Sequence, residues 1–340
     1  MWLRWRVGRN LDLARYWHRH GDLDEASRHA SRAMALAAGP VPVTTRAIAV
    51  MTAAAIDRDR DDLASSHAHL VRAVALLEAA GPGEHLAGAL TDLGDVHRRL
   101  GRYEEATATL HRARSMVEAA DARLLTVLGI TAKEIGDFDE AARCYAGVAL
   151  LVSSMDERAT LAHNLAGLAY ARERYPEAEA HARTAVATRP RTRSVALAAD
   201  LGVLGAAIAA QHRPGEARTH LERAVTLCEA ARPSRPYELA VLLHNLAAVD
   251  HGAGQADDAE RGYRRVLALK EDLLGTDHPE VGVVCNNLGT LLHDQGRTAE
   301  ARRRYERART IAERVYPAGH PTVTAIRHNL RRLTAGDGAT

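Results

Sequence analysis

Small residues recur along this chain with gaps of 12 and then 7 residues, and that spacing sharply limits the folds open to it. The triplets are Ala14/Ala26/Ala33, Gly94/Ala106/Ala113, Gly129/Ala141/Val148, Ala166/Ala178/Ala185, Gly205/Ala217/Ala224, Ala247/Ala259/Val266 and Gly289/Ala301/Ala308. Ala54/Ser66/Ala73 is a degenerate eighth copy, and the middle members lie 35 to 42 residues apart. A seven-residue gap is two helical turns, so the last two members share a helix face and the first sits on a preceding helix. Gly21, Gly101, Gly136, Gly254 and Gly296 fall between the two helices, where glycine commonly ends a helix. Stretches such as "GPVPV", "RPSRP" and "GTDHP" punctuate the gaps between copies. Gly or Ala at a crossing lets two antiparallel helices approach closely while larger neighbours fill the flanks. Those neighbours are Leu93, Leu128, Leu165, Leu204, Leu246 and Leu288, one before the first small residue, with Tyr145, Tyr263, Tyr305, Leu70, Leu110 or Leu221 four after the second. These large residues are expected to plug the interface between successive pairs.

Composition supports helices throughout. The chain is 46% hydrophobic, mostly Ala and Leu, with a single Phe, and the alternating runs that mark strands are missing. The net charge of +2 gives no bias toward nucleic acid or anionic membrane. Almost all cations are Arg, as in a GC-rich bacterial genome. Cys144, Cys228 and Cys285 are widely spaced and odd in number, which argues against a disulfide framework or structural zinc and fits the cytoplasm. The start, "MWLRWRVGRN", has no apolar stretch of signal-peptide type. The most apolar segment, residues 194–210, carries Asp200 in its interior, so no membrane span is expected.

The pattern of Leu-Gly, Ala, aromatic and Ala resembles the tetratricopeptide repeat. The resemblance implies an all-α, right-handed solenoid of about eight helix-turn-helix pairs. Repeats fall at about 8–40, 44–80, 84–119, 120–155, 157–190, 194–232, 236–275 and 279–316. A capping helix follows at 320–334, so residues 1–334 form a single array, with a disordered tail at 335–340. The copy at 44–80 departs most, since Ser66 replaces Ala and no Gly marks its turn. The 42-residue spacing of the last copies, with "DHP" or "GHP" between them, is similar to the kinesin-light-chain subtype. Arg327, Arg331 and Arg332 would give the cap the polar outer face that a solenoid end needs.

One slot recurs within this frame. Asn164, Asn245, Asn287 and Asn329 each precede the Leu of a first helix; Val203 interrupts the series and Asp92 holds the slot upstream. His163, His244, Asn286 and His328 stand one residue earlier. The resemblance implies that first helices line a concave groove where such Asn side chains contact the backbone of a bound peptide. A carboxamide suits that role because it carries donors and an acceptor in one small group. The alternative is that the amides bridge neighbouring first helices or cap local backbone. The His residues lack companions at zinc-ligand spacing, so no metal or other cofactor is expected. Groove His residues would instead tune binding near neutral pH.

Signals for catalysis are missing: there is no phosphate loop, nucleophile elbow or H-E-x-x-H. "DRDRDD" at 57–62 mimics an EF-hand start but lacks its glycine, and Ala68 stands where the bidentate Glu belongs. A basic C-terminal stretch including "RRRYERAR" would suit nucleic acid or an acidic protein tail, but Tyr305 takes a core slot and the stretch upstream is acidic, so these charges are read as solvating outer faces and no nucleic-acid partner is expected. Trp2 and Trp5 sit on a basic N-terminal arm and are read as covering the open end of the first repeat, with docking of a partner or a second copy as the alternative. The whole describes a non-catalytic scaffold that holds a protein or peptide segment in its groove. The alternative is a peptide-sensing regulatory module of a bacterial system acting on a separate effector.

Overall fold

The computed structural model describes residues 2–81, 83–119, 121–191, 194–231 and 235–336, with side chains to residue 333. These residues form seventeen helices and no strand. The chain divides into two compact units, Met1–Thr131 and Ala132–Thr340. In the first, α1 (Trp2–Arg19) pairs with α2 (Leu23–Ala37), α3 (Val43–Asp59) with α4 (Leu63–Glu78), and α5 (Glu84–Arg99) with α6 (Tyr103–Ser115). The boundary falls within α7 (Ala122–Glu134), and α8 is Phe138–Ala149. In the second unit, α9 (Met155–Ala171) pairs with α10 (Tyr175–Thr188), α11 (Ser194–Ala209) with α12 (Pro214–Ala230), α13 (Pro236–Gly252) with α14 (Ala256–Leu274), and α15 (Pro279–Asp294) with α16 (Thr298–Val315). A last helix, α17 (Pro321–Gly336), packs on α16 and α15.

The small-residue triplets are the centre of this packing. All twenty-four positions are buried, Ser66 included. In the degenerate copy Ser66 Oγ donates to the Ala54 carbonyl at 2.8 Å, so the hydroxyl bonds to the first triplet member across the crossing. A β-carbon at Gly94 would lie 2.5 Å from Leu110 Cγ, and one at Gly289 would lie 2.8 Å from the Tyr305 ring. The large residue therefore closes on the first small residue inside its own pair. This corrects the expectation that it plugs the gap between pairs. Only glycine can stand under a side chain at that range.

The turns follow one rule. The residue five before each middle small residue has a left-handed backbone, but only five of the eight are glycine. Asp61, Glu173 and His212 adopt φ of 60° at the same place. Asp22, Asp62 and Asp137 then cap the second helices, accepting from the N–H three residues on at 2.9–3.0 Å. Pro214, Pro236, Pro279 and Pro321 open their helices, where a missing N–H costs nothing.

The ends differ from expectation. The N-terminal arm is part of α1, which begins at Trp2 rather than at residue 8. Val7, Leu11 and Ala14 bury that helix, while Trp2 and Trp5 are 66% and 59% exposed. They do not cover the end of the repeat; Arg6 and Arg9 lie over their rings at 4.6 and 5.7 Å. At the other end α17 continues to Gly336, two residues past the expected cap, and residues 337–340 of the expected tail lie outside the described residues.

Candidate functional site

First helices touch first helices. Within the second unit α9 meets α11, α11 meets α13, α13 meets α15 and α15 meets α17. Second helices are joined instead by long arginine bridges, such as Arg183 to Glu216 at 2.9 Å. The recurring Asn slot lies in the tight first-helix layer.

Three of the four Asn residues follow one bonding rule. Asn245 Nδ2 lies 3.5 Å from the Gly202 carbonyl, Asn287 Nδ2 lies 3.0 Å from His244 Nε2, and Asn329 Nδ2 lies 3.0 Å from Asn286 Oδ1. Each reaches back 43 residues, to the residue before the equivalent slot of the preceding first helix. The residue preceding the slot therefore accepts from the Asn of the next repeat in three successive cases, Gly202 before Val203, His244 before Asn245 and Asn286 before Asn287. His244, Asn286 and the carbonyl of Gly202 are three solutions to that one demand. The amides thus make the interhelical bridge that the sequence left as an alternative. One donor of each is used, and a carboxamide has two donors and an acceptor. All four Asn residues are half-buried. His328 is exposed on α17.

His244 is not a neutral-pH titrator. Burial pushes its imidazole down to about 3, and the Lys270 charge acts in the same direction. Lys270 is itself buried; its Nζ donates to Glu280 Oε2 at 2.6 Å, and Tyr237 Oη donates to Glu280 Oε1 at 2.5 Å. Burial raises the Glu280 carboxyl, but these two donors outweigh it and hold the group below its ordinary value.

A second polar cluster was not singled out from the sequence. Asp200 is fully buried and accepts from Arg189 Nε at 2.7 Å and Nη2 at 3.1 Å. Arg189 Nη1 also donates to Asp156 Oδ1 at 2.9 Å and Thr160 Oγ1 at 3.0 Å. His163 Nδ1 lies 3.0 Å from Asp200 Oδ1, so this His joins α9 to α11. The only sequence signal was an Asp inside an otherwise apolar helix. Such a charge needs a buried partner.

In the first unit the same slot carries charge. Asp92 on α5 is 9% exposed, bonds to Arg58 of α3 at 3.0 Å and pairs with Arg123. His18 lies 2.8 Å from Asp59, joining α1 to α3. The "DRDRDD" carboxylates are all engaged: Asp57 with His69, Asp59 with His18, Asp61 with Arg99, and Asp62 as helix cap. Among the described residues no cluster of three or more metal-type ligands occurs. The three cysteines are buried and unpaired, and burial pushes the Cys144 and Cys228 thiols up to about 12 and about 11. Among the described residues no helix is long and apolar enough to cross a membrane.

No curated protein matches the chain. Its fold is similar to that of a tetratricopeptide repeat protein from Parabacteroides merdae, at 14% identity and TM-score 0.52, covering 79% of this chain and 97% of that one. A Rap protein complexed with competence and sporulation factor aligns at 12% identity and TM-score 0.64, covering 98% of each chain. The apo form of the quorum sensor NprR from B. thuringiensis aligns at 13% identity and TM-score 0.62, covering 90% of this chain and 87% of that one. At such identities the likeness is one of fold. Family models described as tetratricopeptide repeat match residues 11–32, 87–146, 158–192 and 238–314. Together they span more than half of the sequence, and the chain belongs to the tetratricopeptide-repeat family.

Proposed function

We propose that the chain is a non-catalytic scaffold that captures an extended peptide or protein segment on the first-helix face of its C-terminal unit. The observation that carries this reading is the Asn245, Asn287 and Asn329 series. Each half-buried amide makes one bond to the neighbouring helix, and a carboxamide has donors and an acceptor beyond that one bond. A row of fixed amides, one per repeat, suits a peptide backbone whatever its side chains. Asn164, His163 and His328 extend the same face, and the even 42-residue step of the last repeats, kinesin-light-chain-like in spacing, keeps it regular. Asp92 holds the equivalent position in the other unit.

A second reading is a peptide-sensing regulator of a bacterial cytoplasmic system that acts on a separate effector. The observation that favours it is likeness along almost the full chain to a protein solved with competence and sporulation factor and to a quorum sensor. The exposed Trp2 and Trp5 on α1 would then serve self-association or effector docking.

The experiment is selection of binders from a displayed library of random peptides of about twelve residues, with full-length protein as bait. Selected peptides should bind wild type and lose roughly tenfold or more in affinity on Asn245→Ala/Asn287→Ala, with helicity unchanged. Equal affinity for both proteins contradicts the amide face. A peptide-induced change in scattering radius would favour the sensing reading, and an unchanged radius the plain scaffold.

A further inference from the structure

His67 and His69 stand two residues apart on α4 and meet different partners. His69 Nδ1 lies 2.8 Å from Asp57 Oδ2 on α3. His67 Nε2 lies 3.1 Å from His97 Nε2 on α5, with the ring centroids 5.1 Å apart. Elsewhere, histidines that join the first helices of successive repeats face a carboxylate: Asp59 for His18, Asp200 for His163 and Asp294 for His251. A carboxylate accepts, so it takes the imidazole N–H. Two facing imidazoles set nitrogen against nitrogen, and one of them presents a lone pair.

Which ring does so is set from α6. His97 Nδ1 lies 3.4 Å from Thr109 Oγ1, and the backbone carbonyl of Glu105, one turn before Thr109, accepts from the same ring. These contacts hold the proton on Nδ1 and turn the Nε2 lone pair toward His67. A carbonyl behind one ring nitrogen orients the histidine ligands of metals in the same way. Burial and the Arg102 charge hold the His67 imidazole below its ordinary value, and burial and the neighbouring His67 do the same for His97. The exposed Glu105 carboxylate pulls both rings the other way without overturning this. Both imidazoles are therefore neutral at neutral pH, the form that binds a metal.

We propose that His67 and His97 are the two protein ligands of a divalent metal-ion site that ties α4 to α5 and takes Zn²⁺, Ni²⁺ or Cu²⁺. Two nitrogens bound to one ion at about 2.0–2.1 Å stand about 2.9 Å apart at a right angle and about 3.4 Å apart at the tetrahedral angle. The 3.1 Å separation falls between these limits. On binding, the proton between the rings moves to His67 Nδ1, both Nε2 lone pairs meet the ion, and no proton is released. Among the described residues no third ligand completes a cluster, and both rings are half-buried, so water fills the remaining positions. Glu105 offsets the opposing charge of Arg102 beside the pair. Imidazole donors select these ions over Mg²⁺ and Ca²⁺, which take oxygen. The site lies in the N-terminal unit and does not depend on the peptide-face reading.

The test uses the full chain without an affinity tag, stripped of metal by a chelator. Isothermal titration with Zn²⁺, Ni²⁺ or Cu²⁺ should show a single strong site per chain, which His67→Ala and His97→Ala each weaken roughly tenfold or more. Cu²⁺ should bind tightest, and Mg²⁺ and Ca²⁺ should not compete. His251→Ala, in the other unit, should bind as wild type does. Loss of either ring also removes the α4–α5 bond, so nuclear magnetic resonance of wild type gives a second reading. Substoichiometric Cu²⁺ should broaden the ring signals of His67 and His97 before those of any other histidine. Binding by wild type no tighter than by His67→Ala/His97→Ala would overturn the proposal, as would first broadening at a different histidine.

Discussion

Asp92 in the N-terminal unit and Asn287 in the C-terminal unit hold the same slot, one residue before the Leu of a first helix, and meet the same demand with different chemistry. Asp92 is taken up by two guanidinium groups, from Arg58 and Arg123. Asn287 is tied by a single neutral bond to His244 and a longer contact of 3.4 Å with Asn286. Where the slot is polar, its short side chain reaches a neighbouring first helix, although Val203 shows that polarity is not obligatory. The slot does not dictate charge. What differs is the capacity left over: a carboxylate held by two arginines offers little to a ligand, whereas an amide anchored at one point has further donor capacity.

The largest effect should be one that ignores this difference. Gly94→Val and Gly289→Val each force a side chain onto a large neighbour inside its own pair and should destabilise their units by about 3 kcal/mol. Denaturant midpoints followed by circular dichroism would show it; a small effect in one unit alone would mean the two scaffolds are not alike. The slots themselves should then separate the units. Asp92→Ala removes the carboxylate shared by Arg58 and Arg123, although Arg58 keeps Asp95 at 3.8 Å, and should cost about 2 kcal/mol, less at high salt. Asn287→Ala removes one neutral bond and should cost about 1 kcal/mol, with no salt dependence.

Acid should act on the second unit through His244. In the folded chain this imidazole stays neutral down to about pH 3, while its ordinary value is 6.5. The unfolded chain therefore takes up a proton below pH 6.5 that the folded chain does not. Stability falls as the pH is lowered, by at most about 1.4 kcal/mol per pH unit. His244→Asn copies the residue that accepts the same bond in the next repeat, Asn286, and should flatten the pH dependence while keeping the bridge. The smallest effect is a gain. Glu173→Gly should stabilise by about 0.5–1 kcal/mol, because it relieves a left-handed backbone at a position where most copies have glycine.

Helix pairs were legible in the sequence because the 12-and-7 spacing is a direct consequence of close packing, and small residues leave no second interpretation. The degenerate copy was harder to read because two of its signals were replaced by equivalents: a buried hydroxyl at Ser66 for a methyl, and Asp61 for the turn glycine. The Asn slot was visible as a recurrence, but its partners were not. A bond that spans 43 residues depends on how successive pairs stack, and neighbouring positions in the chain do not encode that. The Asp200–Arg189 cluster was hidden for the same reason, since its members come from α9, α11 and the residue that follows α10. The orientation of Trp2 and Trp5 turned on which stripe of α1 faces inward, and Val7, Leu11 and Ala14 took it.

The most direct test compares the two slots as ligand contacts. Isothermal titration of one selected peptide against wild type, Asn245→Ala/Asn287→Ala and Asp92→Asn would measure what each contributes to capture. The account predicts affinity lost in the amide double variant and kept in Asp92→Asn. The reverse order, or the same affinity in all three proteins, would contradict it.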